Sequence, residues 1–362
     1  MLPAVAIVEE IRRRQIPATF LWIGSTVGVE QQLAEENRIP FQAIKAGKLR
    51  RYIDLKTVPD AVRIPIGTVQ SWRILRKFKP DVVFSTGGFV SVPTVVAATR
   101  QYPVLTHEQT ATVGLANRIN MQFTEHIALS FPETVARLSG SRINAILTGN
   151  PIRASIVEGD ANRGLSEYGF TADIPLLFVT GGARGASPLN TRVEAVLPNL
   201  LEICQVLHQT GPPSMSNDFH RLSERREQLP ANLRSRYQVR QFIGKEIGDV
   251  FAASSMVLCR SGAGMVAELA ALGKPAILVP LPGSGGGEQA MNARILGDIH
   301  AALVLNQESA TPDELLRHIT LMITDNARLA EMSENARRIG SPRAAAALTD
   351  LLLRVAETTQ SR

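Results

Sequence analysis

The sequence predicts an α/β fold of two doubly wound parallel-sheet units, and three observations predict it. Short runs rich in Val, Ile and Leu alternate with segments of helical periodicity along nearly the whole chain, as in parallel sheets covered on both faces by helices. Several runs end directly in small-residue turns, at 86–88, 181–185 and 261–264, where strands of open α/β sheets pass into helices. One stretch, "LTGNPIRASIVEGDANRGLSEYGF" (147–170), breaks the alternation with Gly, Asn and Pro and marks a junction between two series.

The elements follow in order. Leu2, Val5, Ile7, Val8 and Ile11 recur at helical spacing, with Glu9, Glu10, Arg12, Arg13 and Arg14 on the other face, so the chain opens on a helix. After Pro17 the run "ATFLWIG" predicts a buried strand over 19–24. Further strands are expected at 81–85, 104–107 and 126–130, then at 175–180, 205–209, 238–243, 256–259, 276–280 and 301–305. The 362 residues suffice for two domains of ordinary size. A ligand of two such units is expected at the carboxyl ends of the strands.

Composition bounds the function classes. With 44% apolar and 20% charged residues a packed core is expected. The apolar runs are broken well short of the about 18 residues that a membrane span requires, and the start does not read as a secretory signal. Cys204 and Cys259 both sit in apolar strand-like runs, as buried free thiols of a reducing compartment do. The net charge of +6 is unevenly placed: residues 45–79 hold ten Lys or Arg against Asp54 and Asp60, a local excess of +8. Such a patch suits an anionic surface or equally a solvated helix face. Within it Val69, Trp72, Leu75 and Phe78 are spaced three apart beside Arg73, Arg76, Lys77 and Lys79. Aromatic interleaving is sparse and no nucleic-acid motif is present, so no nucleic-acid partner is expected.

Four stretches could carry chemistry. In "LLFVTGGARGASPLN" a strand ends at Thr180 and a glycine-rich turn opens a helix; glycines let backbone approach an anion, though tight turns also use them for steric reasons alone. In "CRSGAGMVAELAALGKPAILVP" the turn 261–264 opens a helix with Glu268 one turn in. A helix start of this kind receives a diphosphate, and Glu268 is placed to accept from a ribose diol. "PLPGSGGGEQAMNARIL" offers a loop ending in Glu288 and Gln289, with Gln289 suited to sugar hydroxyls. In "VLTHEQTATVGLANR", His107, Glu108 and Gln109 lie just past a strand end, and adjacent His and Glu suit proton transfer. No H-E-x-x-H, C-x-x-C, P-loop, D-x-D or G-x-S-x-G occurs.

Together "STGGFVSVP", "HEQTATVGLANR", "TGNPIR", "VTGGARGASPLN", "HQTG", "CRSGAGMVAELAALGKPAILVP" and "EQAMNA" resemble, in order, segments of the MurG family. These are bacterial UDP-N-acetylglucosamine:lipid I N-acetylglucosaminyltransferases of peptidoglycan synthesis. The resemblance spans nearly the whole chain. It implies the GT-B fold, two Rossmann-like domains with a cleft between them. The N-terminal acceptor domain would be 1–153, completed by a C-terminal segment 343–362, and the donor domain 154–342. The implied reaction is inverting, metal-independent and free of cofactor. Its partners would be UDP-N-acetylglucosamine, a polyprenyl-diphosphate muramyl peptide and the anionic inner-membrane surface, which places the protein peripherally on the cytoplasmic face. Carried over by position, Thr110, Arg153 and Ala183 fall on the donor side and Ile243 meets uracil through its backbone. Ala263, Gly264, Met265, Val266, Ala267 and Glu268 cradle the nucleotide, Gln289 binds the sugar, and Glu108 is a candidate for catalytic support.

The chain departs from the family pattern in three places. Thr110 stands where Asn is expected after "HEQ", and Ala183 where Ser is expected in the glycine turn. Family members also begin with a strand and a "GGTGGH" loop before the segment that resembles "LPAVAIVEE", and that loop carries the His usually proposed as base. In a doubly wound sheet the first strand is flanked on both sides, so its lack would leave two unpaired edges. The expectation is that the native start lies upstream of Met1. The alternatives are a related GT-B transferase with another lipid or natural-product acceptor, or a non-catalytic UDP-sugar-binding protein.

Overall fold

The apolar runs fold into two separate sets of parallel strands. The computed structural model describes residues 2–25, 30–46, 57–138, 140, 142–284 and 286–357. Of the basic stretch, Lys48, Arg50, Arg51, Asp54 and Lys56 lie outside the described residues, as does Gly285 of the glycine-rich loop. The chain divides into two units, Met1–Arg153 with Arg343–Arg362, and Ala154–Pro342.

In the first unit, β1 (Trp22–Ser25) pairs in parallel with β2 (Phe41–Ile44). Separately, β3 (Val83–Ser85), β4 (Val104–Glu108), β5 (His126–Leu129) and β6 (Asn144–Leu147) form a four-stranded parallel sheet in that order. β2 and β6 were not anticipated. Each is four residues long, and each ends its sheet with one buried residue or none, so neither writes a continuous apolar run. The helix Leu2–Arg13 sets Ile7 and Ile11 against Leu105 and Ala128, and helix Ala344–Glu357 adds Leu348, Leu351, Leu352 and Val355 to the same cluster. Leu2 of the expected apolar face is instead exposed. Glu10 is buried, with Arg13 and Arg14 on its carboxylate at 2.8 and 2.6 Å.

The helix Thr57–Phe78 corrects part of the expected surface stripe. Leu75 packs into the core with Val83 and Val95, because three-residue steps drift around a helix of 3.6 residues per turn. Val69 and Trp72 stay exposed, joined by Ile66, and the Arg76 guanidinium lies 4.8 Å from the centre of the Trp72 ring. Among the described residues no helix is long and apolar enough to cross a membrane.

The second unit is a six-stranded parallel sheet of β7 (Leu176–Thr180), β8 (Gln205–Gln209), β9 (Tyr237–Arg240), β10 (Met256–Cys259), β11 (Ala276–Leu278) and β12 (Ala302–Val304), in the order β12-β11-β10-β7-β8-β9. Every residue of β7, β8, β10 and β11 is buried; β7, β10 and β11 read as apolar runs for that reason, whereas β8 buries Gln205, His208 and Gln209. β9 ends at Arg240, three residues before the anticipated end, because the chain leaves the ladder there and exposes Phe242. Cys204 and Cys259 are buried free thiols, and burial pushes the Cys204 thiol up to about 12.

Candidate active site

Register places the second unit's chemistry. Leu278 aligns with Cys259, Cys259 with Thr180, Thr180 with Gln209, and Gln209 with Arg240. Five strands therefore end in one row, and the turns that follow them gather on one rim of the sheet. Chain order reverses between β10 and β7, and the crevice at such a reversal is where open α/β sheets bind ligands. The turns 181–186 and 260–263 leave the sheet on its two sides.

The turn after β10 opens the helix Ala263–Leu272, with Gly262 as N-cap in extended geometry and no side chain capping it. The first N–H groups of a helix lack intrahelical partners and carry the positive end of its dipole. A Cβ built on Gly262 or on Gly264 meets nothing within 4 Å, and neither has positive φ. These glycines are thus required neither by packing nor by backbone geometry; they leave room in front of the helix. Ala263 and Val266 face the core, while Gly264, Met265, Ala267 and Glu268 are half-buried. The Glu268 carboxylate charge reaches Cys259 at the end of β10, where it adds to burial in raising the thiol.

The turn after β7 is fixed by an amide the sequence reading did not single out. Gln209 Nε2 donates to Thr180 Oγ1 and Gly182 O, both at 3.1 Å, and Gln209 Oε1 accepts from Ile243 N at 2.9 Å. One side chain so holds the Gly181–Gly182 turn and the segment after β9, bringing Ala183 and Ile243 to the same rim. Ile243 N–H is committed to that bond, which leaves its carbonyl for a ligand. Ala183 is exposed at the tip. Gly185 is sterically required: its φ is +73° and a Cβ would lie 2.0 Å from Thr210 O. Beneath the helix Ser187–Ala195, His208 Nε2 meets Asn190 Oδ1 at 3.0 Å and His208 Nδ1 meets Tyr237 Oη at 3.1 Å, while Asn190 donates to Asp218 at 2.8 Å. Burial lowers His208 to about 4, so the ring is a neutral structural group.

The third turn is tied to the first. Ser261 Oγ donates to Gln289 O at 2.8 Å, and Gln289 Oε1 accepts from Leu281 N at 2.9 Å. Gln289 therefore stands beside the Gly262–Gly264 helix start with its carbonyl oxygen engaged and its amide nitrogen as the group suited to a ligand oxygen. Arg260, buried beneath, donates to Val279 O and Pro280 O at 2.9 and 3.1 Å and to Gln307 Oε1 at 2.6 Å, locking the strand ends.

In the first unit, Glu108 closes β4 and is buried. Its Oε1 accepts from Thr110 N at 3.0 Å and Thr110 Oγ1 at 2.8 Å, and its Oε2 from Gly114 N at 2.8 Å and Asn117 Nδ2 at 2.9 Å. Three N–H donors and the Thr110 hydroxyl, which also lies 2.5 Å from Thr112 O, surround the carboxylate, so Glu108 organises the 109–114 loop and holds the Gly114 N–H just before the helix Leu115–Asn120. Asn117 and Asn120 carry the same network on: Asn120 Nδ2 reaches Ser91 Oγ at 2.9 Å and Ser85 Oγ at 3.3 Å. His107 is fully buried, contacts Gly149 O at 3.2 Å, and is lowered by burial to about 4, which removes it from proton transfer with solvent. Arg153 belongs to this unit too, and its charge acts on Glu9, whose carboxyl burial raises. The expected donor-side residues thus divide: Thr110 and Arg153 lie in the first unit, and Ala183, Ile243, 263–268 and Gln289 share the rim of the second. Among the described residues no group of three or more His, Cys, Asp or Glu could hold a metal ion.

Comparison with known proteins decides the family. Residues 1–129 match the glycosyltransferase family 28 N-terminal domain, and residues 176–348 match the family 28 C-terminal domain. The chain belongs to the MurG family of glycosyltransferases. It is 39% identical over 325 residues (89% of this chain, 87% of the relative) to a UDP-N-acetylglucosamine--N-acetylmuramyl-(pentapeptide) pyrophosphoryl-undecaprenol N-acetylglucosamine transferase of Lachnospira eligens. It is 35% identical over 356 residues, 98% of this chain and 95% of the relative, to the transferase of the same name from Listeria monocytogenes. The crystal structure of Acinetobacter baumannii MurG superposes with a TM-score of 0.72 at 27% identity, covering 98% of this chain and 95% of that one. A UDP-GlcNAc 2-epimerase from Neisseria meningitidis, at 13% identity and a TM-score of 0.64, shares the fold. The expected fold, GT-B, and the expected enzyme class, a hexosyltransferase, are thereby met.

Proposed function

We propose that the chain transfers N-acetylglucosamine from UDP-N-acetylglucosamine to lipid I, the polyprenyl-diphosphate muramyl peptide, to form lipid II in peptidoglycan synthesis. The observation that carries this is the rim of the second unit. There a helix start with open space at Gly262 and Gly264 sits at the strand-order reversal, with Glu268 one turn in and Gln289 alongside. The names of the relatives supply donor and acceptor.

In this reading the diphosphate lies on the N–H groups of 263–265, Glu268 accepts from the ribose hydroxyls, the Ile243 carbonyl faces uracil, and Gln289 donates to the sugar. The acceptor 4-hydroxyl oxygen bonds to the anomeric carbon from the face opposite UDP. The bond from that carbon to the diphosphate oxygen breaks, and UDP leaves with the electron pair. Charge grows on the diphosphate during this step, and fixed helix-terminal dipoles stabilise it without reorganising. The hydroxyl proton passes to a base. Glu108, with four donors on its carboxylate, serves as the positioning residue of the acceptor-side loop.

The exposed stripe Ile66, Val69 and Trp72 with Arg73, Arg76 and Lys77 is suited to the anionic cytoplasmic face of the membrane, where the acceptor's lipid resides. Calorimetric titration with UDP and UDP-N-acetylglucosamine, followed by a transfer assay on a lipid I analogue, tests the reading. Binding of the donor with formation of the disaccharide product supports it; absence of UDP binding refutes it.

A further inference from the structure

Gln289 is held at every polar group but one. Its backbone N–H donates to Ser284 Oγ at 3.1 Å, its backbone carbonyl accepts from Ser261 Oγ at 2.8 Å, and its side-chain oxygen accepts from Leu281 N at 2.9 Å. Among the described residues only its Nε2 group keeps no partner. That nitrogen can only donate, so the rim presents here a donor of fixed direction.

Ser261 carries the bond that reaches Gln289 from the neighbouring turn. It is fully buried and directly precedes Gly262, the N-cap of the helix Ala263–Leu272. Its carbonyl accepts from Asn292 Nδ2 at 3.3 Å, and Asn292, also fully buried, lies one turn after Gln289 on the helix Glu288–Gly297. Residue 261 is therefore tied to that helix through both its hydroxyl and its carbonyl. The peptide that follows is trans, so a carbonyl turned towards Asn292 turns the Gly262 N–H away from that helix. Two helix starts, one suited to a diphosphate and one carrying Gln289, are thus joined by a single serine.

We propose that Ser261 is a positioning residue for the transfer: its hydroxyl fixes Gln289 relative to the Gly262–Gly264 helix start, and so sets how much the sugar adds to donor binding. The inference rests on the reading of Gln289 as the sugar contact. Ser261 Oγ is buried and engaged by Gln289 O, so it does not touch the nucleotide. Its loss acts on the sugar through Gln289 and leaves the nucleotide contacts in place. The anomeric carbon lies between the diphosphate and the sugar hydroxyls, so a shift of Gln289 against the helix start also misplaces the reacting carbon against its leaving oxygen.

The test is calorimetric titration of UDP and of UDP-N-acetylglucosamine into four full-length proteins: the parent, Ser261→Ala, Gln289→Ala and the double variant. Ser261→Ala should weaken UDP-N-acetylglucosamine by about fivefold, the scale of one hydrogen bond, and hold UDP within about twofold of the parent. In the Gln289→Ala background the serine substitution should add no further loss, because the two residues act as one unit. The proposal is overturned if Ser261→Ala weakens UDP as much as UDP-N-acetylglucosamine, which makes the hydroxyl a support of the fold alone. It is equally overturned if Ser261→Ala leaves donor affinity unchanged, or if the two losses add in the double variant. The underlying reading fails separately: a parent that does not bind UDP refutes the donor site, and Gln289→Ala with full donor affinity removes the sugar contact, whatever Ser261→Ala does.

Discussion

Glu108→Gln separates a positioning carboxylate from a catalytic base, and its cost follows from four hydrogen bonds. A glutamine offers one oxygen and one NH2 group where Glu108 offers two oxygens. If the NH2 takes the Oε1 place it faces Thr110 N and Thr110 Oγ1; the hydroxyl can turn to accept, but the Thr110 N–H cannot. If it takes the Oε2 place it faces Gly114 N and Asn117 Nδ2; Asn117 can flip, but the Gly114 N–H cannot. Either way one buried N–H loses its acceptor, at about 1–3 kcal/mol, and the remaining bonds lose the strength that the charge lends them, so a total of about 2–4 kcal/mol is expected. Both tryptophans, Trp22 and Trp72, lie in the first unit, so a tryptophan-fluorescence melt reports that unit alone. It should shift down by roughly 5–15 °C for a unit of this size. The transfer rate should fall through the disordered loop while the pH profile keeps its shape. A variant that melts as the parent does, yet loses about a thousandfold in kcat with the acidic limb of the profile gone, would refute this reasoning and make Glu108 the base.

Four further outcomes are expected. Glu268→Ala should weaken UDP-N-acetylglucosamine binding by about 1–3 kcal/mol in calorimetry; unchanged affinity removes the ribose assignment. Gly264→Val points its side chain into open space, so circular-dichroism melting should stay within about 0.5 kcal/mol of the parent while UDP affinity drops at least about tenfold, and retained affinity would clear that space of ligand. His107 is held at about 4 by burial against 6.5 when unfolded. Between these values the unfolded chain binds the extra proton, so stability is lost as pH falls from 6.5 towards 4, by about 2 kcal/mol at pH 5; the fluorescence melt should show this loss, and His107→Gln should abolish it. Replacing Arg73, Arg76 and Lys77 with Glu should weaken sedimentation with phosphatidylglycerol vesicles by about 1 kcal/mol per residue removed, leaving UDP binding intact; undiminished sedimentation would move the membrane contact elsewhere.

The sequence made the second unit's rim legible and left much of the first unit obscure, for a common physical reason. β7, β10 and β11 are buried on both faces, so each writes an apolar run whose end is sharp, and the turn that follows is read directly. β2 and β6 end their sheets with half-exposed residues, and nothing in "FQAI" or "NAIL" distinguishes them from loop or helix. Residue type at a strand end was a weaker guide than its surroundings. His107 and Glu108 both look like proton carriers in sequence; one is buried and neutral, and the other is saturated by donors from residues up to nine positions away. Gln209 stands in the sequence reading only within "HQTG", with no role of its own, yet it fixes two of the rim's turns at once. In each case the chemistry available to a side chain is what its neighbours leave unsatisfied, and that remainder is set by chain crossings that no local pattern encodes. The same accounting explains why the glycines at 262 and 264 carry more functional information than Gly185. Gly185 is explained by the carbonyl it would strike, whereas at 262 and 264 a Cβ would meet nothing within 4 Å, so neither packing nor backbone geometry accounts for glycine there.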